Sequence, residues 1–164
     1  MLKRFILVAV VTLLFVFQFP IANAAALELT EEDRTVLLNE QGEEIVLSQK
    51  EYALGQKIFN DTCSQCHNSG RTKTNPNVSL SKGDLAAAFP RRDNIEAMVD
   101  YLKVPYTYDG ESEISVLHPN TKRSDLFAEM RNLTDDDLEA LSGYILAQPK
   151  IRGEKFWGGG KVFN

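Results

Sequence analysis

Cys63-Ser64-Gln65-Cys66-His67 is a C-x-x-C-H stretch, and it constrains the fold more than any other part of the 164 residues. Two thiols three positions apart reach the two vinyl groups of one porphyrin and close as thioethers. The histidine that follows then lies under the iron as its proximal ligand. Cys63 and Cys66 are therefore the candidate attachment points of one covalently bound haem c, and His67 is the first candidate iron ligand. Three rival uses of these residues compete. A thioredoxin-like dithiol needs a βαβ context, and the flanking sequence shows none. A zinc site would have to recruit Cys63, Cys66, His67 and His118, and that spacing fits no usual zinc motif. The third rival is a small disulfide beside a chance histidine.

Haem is attached covalently outside the cytoplasm, and the N-terminus carries an address of that kind. Lys3 and Arg4 precede an apolar run from Phe5 to Phe19, followed by Pro20 and the small-x-small pattern Ala22-Asn23-Ala24. The run is shorter than the roughly 20 residues a membrane span needs, so residues 1–25 read as a cleaved signal peptide, cut within two residues of position 25. Residues 26–164 then form one monohaem domain. Two of the 18 basic residues leave with the signal, so 16 remain against 23 acidic, a formal charge of −7. Such a chain is repelled by nucleic acid and by anionic membrane surfaces, and is steered toward basic protein patches. Nucleic-acid binding is excluded on this ground. No later stretch is apolar enough to span a bilayer.

Upstream of the motif, Thr35–Leu38 and Glu43–Leu47 read as two strands joined by the turn Asn39-Glu40-Gln41-Gly42. Ser48 and Glu51 form a capping box, and Tyr52, Gly55, Ile58 and Phe59 recur at helical spacing up to Cys63. Downstream, Asn68–Leu80 is polar and reads as a loop. A short helix over Asp84–Phe89 stops at Pro90, and Asp93 or Asn94 caps a helix whose stripe is Ile95, Met98, Val99 and Leu102. Ser124 starts a further short helix through Met130. Thr134-x-x-Asp137 caps the last helix, with Leu138, Leu141, Ile145 and Leu146 on one face and Pro149 as its stop. The expected fold is mainly α, a single-haem c-type cytochrome fold with a short N-terminal β-hairpin. Beyond it, Trp157 and the three glycines Gly158–Gly160 cannot sustain a helix. The tail through Asn164 reads as flexible, either frayed or an arm for a partner.

The second axial position separates one kind of cytochrome from another. His118, Met98 and Met130 are the candidates. Met98 lies within an apolar stripe and reads as core. Met130 shortly precedes a capped final helix, which is where small electron carriers keep their ligand. His118 is the one other histidine, and Pro119 restricts the backbone that aims it. His118 is the favoured ligand, with Met130 second and an open site third. Two imidazoles favour ferric iron and a low potential, whereas a thioether raises it.

At several further segments the sequence resembles the cytochrome c-550 family, the extrinsic lumenal cytochromes of cyanobacterial and red-algal photosystem II. These are Thr72-Lys73-Thr74-Asn75-Pro76, Pro90 with Arg92-Asp93-Asn94-Ile95-Glu96, Val99-Asp100-Tyr101, and Thr107-Tyr108-Asp109-Gly110. His118-Pro119, Met130-Arg131-Asn132-Leu133-Thr134, Pro149-Lys150-Ile151 and Trp157-Gly158-Gly159-Gly160-Lys161-Val162 continue the likeness. The resemblance implies axial ligation by His67 and His118, and a paralogous branch of the family lacks the second histidine. It further implies a non-enzymatic subunit in the thylakoid lumen, bound peripherally to photosystem II through core and other extrinsic subunits. There the family supports oxygen evolution at the manganese–calcium cluster and the retention of calcium and chloride. The tail departs from the family at Phe156 and Asn164. The alternative is a soluble single-haem electron carrier with His–Met ligation.

Overall fold

The computed structural model describes residues 29–159, so the expected signal peptide, its cleavage site and the end of the tail lie outside the described residues. The chain begins with a single turn, α1 (Glu31–Arg34). Thr30 caps it, its hydroxyl accepting from the Asp33 amide while the Asp33 carboxylate accepts from the Thr30 amide. This turn was not expected, although Thr30-x-x-Asp33 is the same kind of signal as Thr134-x-x-Asp137. The hairpin follows as β1 (Thr35–Leu37) and β2 (Glu44–Val46), antiparallel with Val36 opposite Ile45. Asn39 holds its turn, the side-chain oxygen accepting from the amides of Gln41 and Glu43.

Helix α2 (Gln49–Ile58) starts at the Ser48–Glu51 capping box. α3 (Lys82–Ala87) starts two residues earlier than its expected span and is capped by Ser81 rather than opened by Asp84, whose carboxylate instead accepts from the Ser79 amide and hydroxyl. α4 (Ile95–Lys103) is capped by Asn94, because Asp93 is engaged with Arg91. α5 (Asp135–Arg152) carries the Thr134–Asp137 box and packs against both α2 and α4. With helices dominating the described residues and one two-stranded sheet among them, the fold is mainly α as expected.

Two expected elements differ. Pro149 does not stop α5, which runs on to Arg152 and ends at Gly153, where φ is +81°. A proline forfeits one backbone bond, and here burial outweighs that loss: Ala147, Gln148 and Pro149 are all buried. Lys150 also ties the last turn to the carbonyl oxygen of Thr35. Residues 124–130 form no continuous helix. Only Ala128–Met130 make a 3-10 turn, because Phe127 just before it has non-helical angles and Asn120 accepts from the Arg123 amide to close a separate turn.

The expected flexible tail is corrected at Trp157. Its indole is 1% exposed and sits in the core with Phe59 and Tyr144, 5.4 and 6.4 Å away between ring centres. It cannot at the same time reach out to a partner.

The α2–α5 crossing depends on Gly55. A Cβ there would overlap the Ala140 carbonyl oxygen and come within 2.8 Å of the Tyr144 Cβ. Backbone cannot move aside as a side-chain tip can. Gly55→Ala is therefore expected to destabilise the holoprotein by about 3 kcal/mol, the upper end for overpacking. Denaturant unfolding checks this, and a loss under about 0.5 kcal/mol, the usual range for surface substitutions, would contradict the tight crossing.

Candidate haem site

Helix α2 delivers the motif by widening. Its last residues pass into a π-helical turn, Phe59–Cys63, in which the Ser64 amide donates to the Phe59 carbonyl at 2.9 Å. Such wide turns inside helices concentrate at functional sites. Phe59 anchors the turn in the core, and the turn then closes on Cys63, whose carbonyl accepts from the amides of both Cys66 and His67. The chain reverses at Ser69 and Gly70, with φ of +53° and +75°. Gly70 is required twice over, because a Cβ there would also strike the Gly158 amide at 2.7 Å and the indole of Trp157 at 2.9 Å. Behind the loop, Trp157 Nε1 donates to the Leu80 carbonyl at 3.0 Å and the Gly158 amide to the Ser69 carbonyl at 2.8 Å.

In front of this loop lies a cleft of about 450 Å³. Cys63, Cys66, His67, Met98, Met130 and His118 all line it. The imidazoles of His67 and His118, 51 positions apart in sequence, stand with ring centres 6.1 Å apart and planes at 58°. Imidazole nitrogens hold a metal at about 2 Å, so two facing one ion put their ring centres on the order of 6 Å apart. The separation fits one metal ion between two histidines.

Each ring is held by its other nitrogen. His118 Nδ1–H donates to the Pro119 carbonyl at 2.9 Å, leaving the Nε2 lone pair for a metal. His67 Nδ1 lies 3.2 Å from the Thr72 hydroxyl. Asn120 braces the His118 backbone, its amide donating to the carbonyls of His118 and Ser115. Tyr101 meets the His118 ring edge-on at 5.1 Å. Burial pushes the His118 imidazole down to about 4, helped by its neighbour His67, and burial lowers His67 as well. Both rings are therefore neutral near pH 7, the form a metal binds.

The rival uses of the motif fare poorly. Cys63 and Cys66 form no disulfide with each other. Burial, with Cys66 and Glu129 adding to it, raises the Cys63 thiol to about 12, the opposite of the lowered value a reactive dithiol needs. Among the described residues, no three His, Cys, Asp or Glu side chains converge as a metal-binding cluster. Met98 and Met130 line the cleft but belong to the buried core. Sequence reasoning singled out none of Thr72, Tyr101, Arg92 or Asn120 for the site, because their part lies in what they hold in place.

A model of the cytochrome c-550 domain matches residues 27–164. The chain belongs to the cytochrome c-550 family. Photosystem II extrinsic protein V of Aphanothece halophytica is 56% identical over 164 residues, which covers the whole of both chains. The protein of the same name from Nostoc punctiforme is 56% identical over 163 residues, 99% of each. The crystal structure of cytochrome c549 aligns with a TM-score of 0.76 and 58% identity, covering 78% of this chain and 99% of that one. Membership of the cytochrome c-550 family makes this a single-haem c-type cytochrome fold, with haem c as the implied cofactor and no enzymatic role.

Proposed function

We propose that the chain is a low-potential cytochrome that works as an extrinsic lumenal subunit of photosystem II. Cys63 and Cys66 carry one haem c as thioethers, and His67 and His118 are its axial ligands. The observation that carries this reading is the pair of imidazoles, ring centres 6.1 Å apart and lining one cleft with the two thiols, in a chain alike over its full length to proteins named photosystem II extrinsic protein V. When bound, the haem supplies a one-electron ferric–ferrous couple. The chain's own residues bind it, fix the His118 tautomer through the Pro119 carbonyl and hold the His67 ring at its Nδ1 through the Thr72 hydroxyl. Filling both axial positions with histidine leaves no place for a substrate or dioxygen.

Residues 1–25 direct export and are removed, so the mature protein works in the thylakoid lumen. Among the described residues no helix is long and apolar enough to cross a membrane. Attachment is thus to the complex, through core and other extrinsic subunits, where the protein stabilises the manganese–calcium cluster and helps retain calcium and chloride. Its formal charge of −7 without the signal suits a basic docking surface. At 1 M salt the screening length falls to about 3 Å, so high salt should release it. Oxygen evolution by isolated photosystem II is expected to fall after such a wash and to recover when purified protein is returned. Activity that survives the wash, or fails to recover, would favour a soluble electron carrier.

A further inference from the structure

Arg92 is 8% exposed, and no carboxylate among the described residues forms an ion pair with it. Burying an unpaired charge is costly, so something must hold it there. Two contacts do. One guanidinium nitrogen donates to the carbonyls of Tyr106 at 3.0 Å and Thr107 at 2.7 Å, and the guanidinium carbon lies 4.0 Å over the Tyr101 ring. Tyr101 in turn meets the edge of His118 at 5.1 Å. The three side chains form one chain of contacts, cation over ring and ring edge-on to imidazole, which reaches one of the two histidines of the cleft.

The charge distribution around the cleft gives these contacts a second meaning. Among the described residues, Arg92 is the one lysine or arginine that lines the cleft, whereas Asp84 and Asp109 both line it. Both carboxylates are held in place, Asp84 by Ser79 and Asp109 by the Thr107 hydroxyl. The haem's own two carboxylates add to the negative side. A cleft of that sign favours ferric iron, and one fixed cation opposes it.

We propose that Arg92 is a positioning residue that braces His118 through Tyr101 and whose fixed positive charge stabilises the ferrous haem. This rests on His67 and His118 being the axial ligands. The guanidinium carbon lies no more than about 9 Å from the His118 ring centre, from the two contacts in series. A metal ion held by that ring would lie about 3 Å further on, within about 12 Å of the guanidinium, and at an effective dielectric constant near 20 a unit charge at that distance changes the ferrous-to-ferric ratio roughly tenfold.

Potentiometric titration of the mature holoprotein tests it, with Arg92→Gln and Arg92→Lys beside the wild type. The glutamine variant is expected to keep its low-spin spectrum while its ferrous-to-ferric ratio at fixed solution potential falls about tenfold, or about 59 mV for one electron. The lysine variant keeps the charge and is expected to recover most of that shift. An unmoved potential in the glutamine variant overturns the proposal, and so does a lysine variant that falls as far as the glutamine one. If the glutamine variant gathers no haem, the lysine variant decides alone by staying near the wild-type potential. If neither gathers haem, Arg92 is structural and the proposal falls. A wild-type protein without a bis-imidazole spectrum would sink the ligand assignment itself, and shows before any substitution is made.

Discussion

Changing Cys63 and Cys66 together to alanine is expected to abolish covalent haem completely. The wild-type chain should keep its haem colour through denaturation, because thioethers survive the loss of every non-covalent contact. The double variant should release all its haem into acidified organic solvent. The effect is all-or-none because each thioether is a separate bond to one vinyl group, and with both gone only His67 and His118 remain as links to the cofactor. Those links depend on a folded cleft and end when it unfolds. Single variants are expected to hold haem by one bond, with a shifted absorption band from the unsaturated vinyl group. Haem that stayed on the denatured double variant would refute the attachment assigned to this motif.

His118→Met is expected to raise the reduction potential while leaving attachment intact. Imidazole donates strongly and stabilises ferric iron, whereas a thioether stabilises ferrous iron. Axial ligands move haem potentials over a span of about 0.8 V, and a change on the order of 0.1–0.3 V fits one His-to-Met exchange. The site can accept the change because Asn120 holds the backbone at residue 118 through carbonyl contacts that do not depend on the side chain. An unchanged potential with an unchanged spectrum would mean that another residue fills the sixth position, and Met130 would be the first to test. The opposite sign separates this prediction from Arg92→Gln. Loss of the imidazole raises the potential, whereas loss of the guanidinium lowers it.

How much of this was legible in the sequence depended on whether the signal was local. The capping boxes at Ser48 and Thr134 place their helices well, since each is a contact between residues three apart. The hairpin and the α4 stripe were equally local. Pro149 misled because its cost is local while its compensation is not: the burial of α5 and the reach of Lys150 to β1 depend on residues far away in the chain. Trp157 misled for the same reason, since three glycines after it say nothing of the Phe59 and Tyr144 rings that receive it. Within the site, the motif and the scarcity of histidine put all four candidate residues on one cleft. The residues that orient them, some of them inside the segments that resemble the family, carried no signal of that role. Thr72 is an ordinary loop threonine until it faces His67, and Arg92 an ordinary arginine until it lies over Tyr101.

The docking of Trp157 bears on the order in which this protein can be put together. The indole fastens a segment 77 positions earlier in the chain, through the Leu80 carbonyl. A contact of such long range pays its loop-closure entropy late, after nearer contacts have formed. The turn that presents Cys63 and Cys66 is built from local bonds and can form well before. If the chain is exported N-terminus first, as proposed above, the thiols would emerge while the bolt behind them is still to arrive. The cofactor would then be installed through an open door, and the later arrival of Trp157 would lock it.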